Sequence, residues 1–172
     1  LDGLAVTYGP GLTGSLLVGL SFVKGWSFSS GITYVGVNHL EAHVLSIFLE
    51  MEVSFPYVAL VASGGHTLLY VVDGFGDYRF LGGTLDDAAG EAYDKVAKMM
   101  GLGFPGGRVI DDLAKKGDPS AITFPRARLR TPYDFSFSGL KTSVWHYLTR
   151  KQPDRWRDQV SDIAASFQEA AV

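Results

Sequence analysis

The stretch Tyr57-Val-Ala-Leu-Val-Ala-Ser-Gly-Gly-His-Thr-Leu-Leu-Tyr-Val-Val72 constrains this chain more than any other. Tyr57 to Ala62 is apolar throughout, the pattern of a central strand covered on both faces. Leu68 to Val72 is apolar again and ends in β-branched residues, which favour extended backbone. Between them, Ser63-Gly64-Gly65-His66-Thr67 must turn the chain. Two adjacent glycines admit positive φ and let a ligand approach the main chain closely. The free N–H groups of such a turn can cradle an anion, with the Ser and Thr hydroxyls as further donors. The same residues also make an ordinary Gly-Gly hairpin turn, and on their own they do not separate the two readings.

Such strands need a core, and 47% of the 172 residues are hydrophobic. That suffices for one domain or two small lobes. A formal net charge of -3 excludes a bulk polycation and a disordered acidic chain. With no cysteine there is neither a disulfide nor a thiolate zinc site, so a metal would need His, carboxylate or Tyr oxygen. The best apolar run, Leu16 to Val23, stops at Lys24, too short for a membrane span. No signal-peptide pattern is visible, and a cytoplasmic protein is expected. The chain starts in strand-like sequence, without Met, and stops inside an uncapped helical pattern at Val160 to Val172, so it reads as a fragment.

Leu4 to Tyr8 predicts a strand, Gly9-Pro10-Gly11 a turn, and Thr13 an N-cap for a helix to about Phe28 that ends before Gly31. Leu16, Leu17, Leu20, Val23 and Phe28 form its apolar stripe, with Gly14 and Gly19 allowing close packing. Ile32 to Val37 predicts the next strand, parallel to the first. Asn38-His39-Leu40-Glu41-Ala42-His43 then opens a helix to about Met51. At i and i+4, His39 and His43 lie on one face and can share one metal ion. In a zinc-peptidase helix the glutamate directly follows the first histidine. Here Glu41 falls roughly opposite the pair, which argues against peptidase chemistry.

A lobe boundary is expected at Glu52 to Pro56, so residues 1–52 and 53–172 are the expected domains. Tyr78 to Leu85 predicts a third antiparallel strand after the central hairpin, and Asp86 to Gly101 a helix buried along Ala88, Ala92, Val96 and Met99 or Met100. Asp87, Glu91 and Asp94 would share one of its faces, as a ligand-facing acid row or as solvated surface. Phe104-Pro105-Gly106-Gly107 reads as a second Gly-Gly turn, able to face the first across a phosphate, before a helix from Val109 to Lys116. Gly117 to Pro132 is irregular, with Arg126, Arg128 and Arg130 at alternate positions. Phe135 to Ser143 leads into a helix ending near Lys151, and a last helix starts near Asp154. Eleven of the 15 basic residues fall between Arg108 and Arg157, against five acids. Such a stripe, with Tyr133, Phe135 and Trp145 nearby, is either charged surface or a contact for nucleic-acid phosphate.

Six motifs in order now define a pattern: Gly9-Pro10-Gly11, His39-Leu-Glu-Ala-His43, Ser63-Gly-Gly-His-Thr67, Asp86-Asp-Ala-Ala-Gly-Glu-Ala-Tyr-Asp-Lys95, Phe104-Pro-Gly-Gly107 and Phe135-Ser-Phe-Ser-Gly-Leu-Lys141. Together they resemble the TsaD family of tRNA threonylcarbamoyladenosine transferases over nearly the whole chain. The resemblance implies an α/β, two-lobed actin-like/RNase H-like (ASKHA) fold with mixed sheets flanked by helices. It implies transfer of threonylcarbamoyl from threonylcarbamoyl-AMP to N6 of adenosine 37 in tRNAs that read codons beginning with A. His39 and His43 match the histidines that bind one Fe(2+) or Zn(2+). Val61, Ala62, Ser63, Gly64 and Gly65 match the adenylate loop, and Asp94, Gly107 and Asp111 match further nucleotide-site positions, where ATP, ADP or AMP could also bind. TsaB and TsaE are the implied bacterial partners, alongside tRNA.

The family's further metal-binding Asp, its adenine-site Asn and its first β-hairpin have no counterpart here, so a partial metal site is expected. The sequence nominates no general base, and His66 reads as a structural neighbour of the loop. Two other functions share the fold: a non-catalytic scaffold, against which the His pair and intact Ser63-Gly64-Gly65 argue, and an ATPase or kinase, which would turn over ATP without tRNA.

Overall fold

The computed structural model describes residues 1–151 and 155–172. It is a mixed α/β chain with a two-stranded and a three-stranded sheet, and it divides into two compact units, Leu1–Tyr57 and Val58–Val172.

In the first unit, β1 (Leu4–Gly9) and β2 (Tyr34–Asn38) pair in parallel, in register from Leu4 with Tyr34 to Thr7 with Val37. The helix α1 (Thr13–Ser30) connects them, as the strand–helix–strand pattern predicts. Its end is set by Gly31, left-handed at φ 73°, whose N–H donates to the Ser27 carbonyl. Its start differs from expectation. Leu12 holds the N-cap position and makes no side-chain bond, while Thr13 is already helical. The expected apolar stripe is not buried as a whole either. Val23 is buried, but Leu17 and Phe28 are exposed, Phe28 by 94%. An 18-residue helix is roughly 27 Å long, and two paired strands are too narrow to cover it. Gly19 does pack on Val6, with Val6 Cγ2 at 3.6 Å from where a Cβ would stand; Gly14 faces open space.

The helix α2 (His39–Leu45) is shorter than predicted and passes into a 3-10 turn, Ser46–Leu49. Phe48, Phe55 and Tyr57 pack their rings together 5.6–6.1 Å apart, and the Tyr57 hydroxyl donates to the Val44 carbonyl at 3.2 Å. This closes the first unit on itself.

The second unit carries a three-stranded sheet in the order β3 (Tyr57–Ala62), β4 (Thr67–Gly74), β5 (Asp77–Gly83). The β4–β5 pair is antiparallel and turns through Gly76, at φ 77°. The middle strand is therefore β4, and β3 is an edge. Val58 and Leu60 are 63% and 58% exposed, while Val61 on the other face is buried. The two-sided burial expected of Tyr57–Ala62 is thus one-sided.

The sheet is followed in sequence by α3 (Ala89–Met99), α4 (Gly106–Ala114), α5 (Ser138–His146) and α6 (Val160–Ala171). Their core gathers Val96, Ile110, Val144, Ile163 and Phe167, all fully buried. Gly101, at φ 69°, closes α3, and the Leu102 N–H returns to the Ala97 carbonyl at 2.9 Å. A π-helical turn, Tyr147–Lys151, extends α5, and a 3-10 turn, Trp156–Gln159, precedes α6. The helix start expected at Asp154 lies outside the described residues. No helix among the described residues is long and apolar enough to cross a membrane.

Candidate functional site

The Ser63–Thr67 turn is held by its own serine. The Ser63 N–H donates to the His66 carbonyl at 2.8 Å, and the His66 N–H donates to Ser63 Oγ at 3.1 Å. Thr67, almost fully buried, accepts from the Ala89 N–H through Oγ1 at 2.8 Å. Both hydroxyls expected to serve a ligand are therefore engaged in building the turn. Neither Gly64 nor Gly65 has positive φ, so the glycines are not there for backbone handedness. What they supply is access: a Cβ on either would meet nothing within 4 Å, and both residues are exposed.

The turn rests on the first turn of α3. The Gly90 N–H donates to the Ser63 carbonyl at 3.1 Å. A Cβ at Gly90 would stand 2.7 Å from that carbonyl oxygen and 2.8 Å from Gly64 Cα, so only glycine lets helix and turn approach this closely. Sequence reasoning missed Gly90. The available signal was a glycine inside a helical pattern, which costs about 1 kcal/mol against alanine and needs a reason.

The helix begins three residues later than Asp86, because Asp86 and Asp87 are committed elsewhere. Asp86 accepts from the N–H groups of Phe137 at 2.8 Å and Ser138 at 3.1 Å and from Ser136 Oγ at 2.5 Å. It thus caps the N-terminus of α5 from a distant part of the chain. Partial burial pushes its carboxyl up, but the Ser136 hydroxyl and the Phe137 and Ser138 amides together hold it below the usual range. Asp87 pairs with Lys95 at 2.7 Å and with Lys141. Burial again acts upward, and the Lys141 and Lys95 hydrogen bonds outweigh it. Glu91 also pairs with Lys95, at 2.7 Å.

The expected acid row of Asp87, Glu91 and Asp94 is therefore not one ligand-facing surface. Asp94 Oδ1 accepts the Gly106 N–H at 2.7 Å, at the start of α4. Nor is Gly106-Gly107 a turn: both residues are the first two of α4. Gly106 is buried against α3, where a Cβ would meet the Ala97 Cβ at 2.5 Å and the Tyr93 carbonyl oxygen at 2.8 Å. Gly107 faces open space. Gly90, Asp94 and Ala97 stand at i, i+4 and i+7, so one stripe of α3 receives both glycine segments about one helical turn, roughly 6 Å, apart. The two segments lie along a common helix instead of facing each other as separate turns. Asp111, in the second turn of α4, is held by Lys115 at 2.6 Å and by Gln168 Nε2 at 3.1 Å. The Lys115 hydrogen bond keeps its carboxyl below the usual range.

In the first unit, Asn38 caps α2, its Oδ1 accepting from the Leu40 and Glu41 N–H groups at 2.9 and 3.3 Å. The cap starts the helix at His39. One turn later His43 stands beside it, ring centroids 4.5 Å apart and edge to face. Two imidazoles so placed fit as two ligands of one divalent ion. Among the described residues no group of three or more His, Cys, Asp or Glu assembles around the pair.

The basic stretch is not one continuous stripe. Lys115 pairs with Asp111 and Asp112, Arg126 with Glu169, Lys141 with Asp87, and Arg108 loosely with Asp112 at 3.9 Å.

A family model described as TsaD, tRNA N6-adenosine threonylcarbamoyltransferase, matches residues 1–172. Curated relatives carrying that name match along the whole chain. The relative from Syntrophotalea carbinolica is 56% identical over 173 residues, covering 100% of this chain and 51% of the relative. Those from Geotalea uraniireducens and Geobacter sulfurreducens are 56% and 57% identical, covering 99% of this chain and 50% of each relative. The chain thus spans about half the length of the curated relatives it matches.

Proposed function

The chain belongs to the TsaD family, and on that premise we propose that it is part of a tRNA N6-adenosine threonylcarbamoyltransferase. The observation that carries the reading is the Ser63–Gly65 turn, open above its glycines and braced from below by Gly90. Such a turn suits the phosphate of an acyl-adenylate. Val61 and Ala62 lead into it, and Ser63, Gly64 and Gly65 form it. Asp94, Gly107 and Asp111 complete the proposed nucleotide site, Asp94 by fixing the start of α4 and Asp111 from its second turn.

In the proposed reaction the donor is threonylcarbamoyl-AMP, a mixed anhydride. N6 of adenosine 37 bonds to the carbamoyl carbon, the bond from that carbon to the phosphate oxygen breaks, AMP leaves and one N6 proton is released. The open main-chain amides of the turn stabilise the negative charge that gathers on the leaving phosphate. His39 and His43 would hold one Fe(2+) or Zn(2+). When bound, the ion would supply Lewis acidity toward the carbamoyl group. Asn38 orients the two imidazoles by fixing where α2 begins.

The reading places the two units, Leu1–Tyr57 and Val58–Val172, in an actin-like, two-lobed (ASKHA) architecture. Residues 1–52 would belong to the lobe with the metal pair and residues 53–172 to the lobe with the nucleotide loop. It places the enzyme in the cytoplasm, with tRNA as substrate and TsaB and TsaE as partners.

The test uses the full-length protein that contains these residues. Incorporation of labelled threonine into unmodified tRNA, in the presence of ATP and bicarbonate and the enzyme that makes the adenylate, is the readout. His39→Ala with His43→Ala is expected to reduce transfer roughly 100-fold or more and to remove bound metal. Transfer unchanged by the double substitution would end the metal assignment. Steady ATP turnover with no tRNA labelling would replace the transferase reading with an ATPase.

A further inference from the structure

Residues 118–131 cross from α4 toward α5 without helix or strand. This irregular ribbon carries Arg126 and Arg128, which both line a cavity of about 970 Å³ against α6. Arg126 also lines a smaller cavity of about 150 Å³, together with Ala127 and Leu129.

The ribbon is fixed in place. Ser166, 1% exposed, accepts the Ile122 N–H through Oγ at 3.1 Å and donates to the Asp118 carbonyl at 3.2 Å. Phe124, 7% exposed, anchors the same stretch. Arg126 is oriented by Glu169: its Nη2 donates to the Glu169 carbonyl at 2.5 Å and to Oε1 at 2.8 Å. Both contacts use one nitrogen, and a guanidinium has five N–H donors on three. Arg128 takes part in no ion pair or hydrogen bond among the described residues. Glu169 is the acid in the lining, so two arginines and one glutamate leave it a net positive charge.

We propose that this cavity binds the RNA backbone, with one phosphate on Arg128 and the free donors of Arg126 beside it. The proposal rests on the reading that the substrate is a tRNA. About 970 Å³ is ligand-sized and far exceeds what a lone phosphate occupies. Ile122 and Phe124 add apolar wall against which a ribose or base can lie. Of the described basic residues between Arg108 and Arg157, Arg126 and Arg128 are the two that line it.

Anisotropy of labelled, unmodified tRNA titrated with the full-length protein that contains these residues, from about 50 to 200 mM salt, tests this. Arg128→Ala is expected to weaken binding several-fold at low salt and to lower the slope of log K against log salt by about one. Glu169→Gln releases Arg126 and is expected to strengthen binding. Lys24→Ala, the same charge loss in the other unit, is expected to change neither quantity. Circular dichroism confirms that each variant is folded. Wild-type binding with an unchanged slope in Arg128→Ala overturns the site and leaves the tRNA reading standing. An equal effect from Lys24→Ala also overturns it, as general charge attraction. Displacement of the tRNA by inorganic phosphate at low millimolar concentration overturns it in favour of a free-anion site. Absence of any tRNA binding by the full-length wild-type protein overturns this proposal and the tRNA reading together.

Discussion

Residues 1–57 and residues 58–172 reach order by different means. The first unit buries Val23 and Val44 and leaves Leu12, Val18, Phe22 and Phe28 exposed. Its elements are set by local chemistry: Gly31 ends α1, Asn38 begins α2, and a ring cluster closes the chain after it. The second unit has a dry core of Val96, Ile110, Val144, Ile163 and Phe167, and it joins distant segments through polar contacts such as Asp86 with the start of α5. The candidate groups divide in the same way. The histidine pair needs only one capped helical turn. The glycine turn needs α3 brought against it from more than twenty residues away.

This comparison can be broken by experiment. Phe167→Ala removes the largest fully buried side chain and is expected to cost about 3–5 kcal/mol in urea unfolding of the second unit. Gly90→Ala pushes a Cβ into the Ser63 carbonyl and Gly64 and is expected to cost about 1–3 kcal/mol. Hydrogen exchange should then show loss of protection at His66, whose N–H depends on the turn. Asp86→Ala removes three accepted hydrogen bonds and is expected to cost about 1–2 kcal/mol near neutral pH. The folded Asp86 carboxyl lies below its ordinary value of 3.8, so its contribution is present above that value and is lost as pH falls through the folded value. Acid titration of stability should therefore be shallower below about pH 4 in Asp86→Ala than in wild type. Asn38→Ala should cost about 1 kcal/mol, felt as fraying of α2 alone. If Asn38→Ala unfolded the second unit as strongly as Phe167→Ala does, the division into a locally and a globally ordered unit would fail.

Local features were the legible ones. The parallel β1–β2 pair, Gly31 and Gly101 as helix ends, the buried stripe of α3 and the one-turn spacing of His39 and His43 all follow from nearest-neighbour patterns. The sequence pattern puts Asp86 at the start of the predicted helix to Gly101, a common place for an acid. Its partners sit some fifty residues away, and no periodicity encodes that. Gly106-Gly107 was read as a turn because paired glycines usually make one. Here Gly106 is selected for closeness to α3, a packing demand that propensity does not carry. The edge position of β3 was hidden for a related reason: an all-apolar run predicts coverage without saying which neighbours provide it.

The bond from Asp86 to Ser138 joins residues 52 apart in sequence. Closing so long a loop costs entropy before any contact is gained, whereas α3 and α4 meet across a short connection. In kinetic terms, the join is expected to form after the rate-limiting step for folding. Asp86→Ala should then leave the refolding rate nearly unchanged and accelerate unfolding, the pattern of a contact absent from the transition state. One carboxylate would thus govern how long the folded second unit lasts and have little say in how quickly it forms.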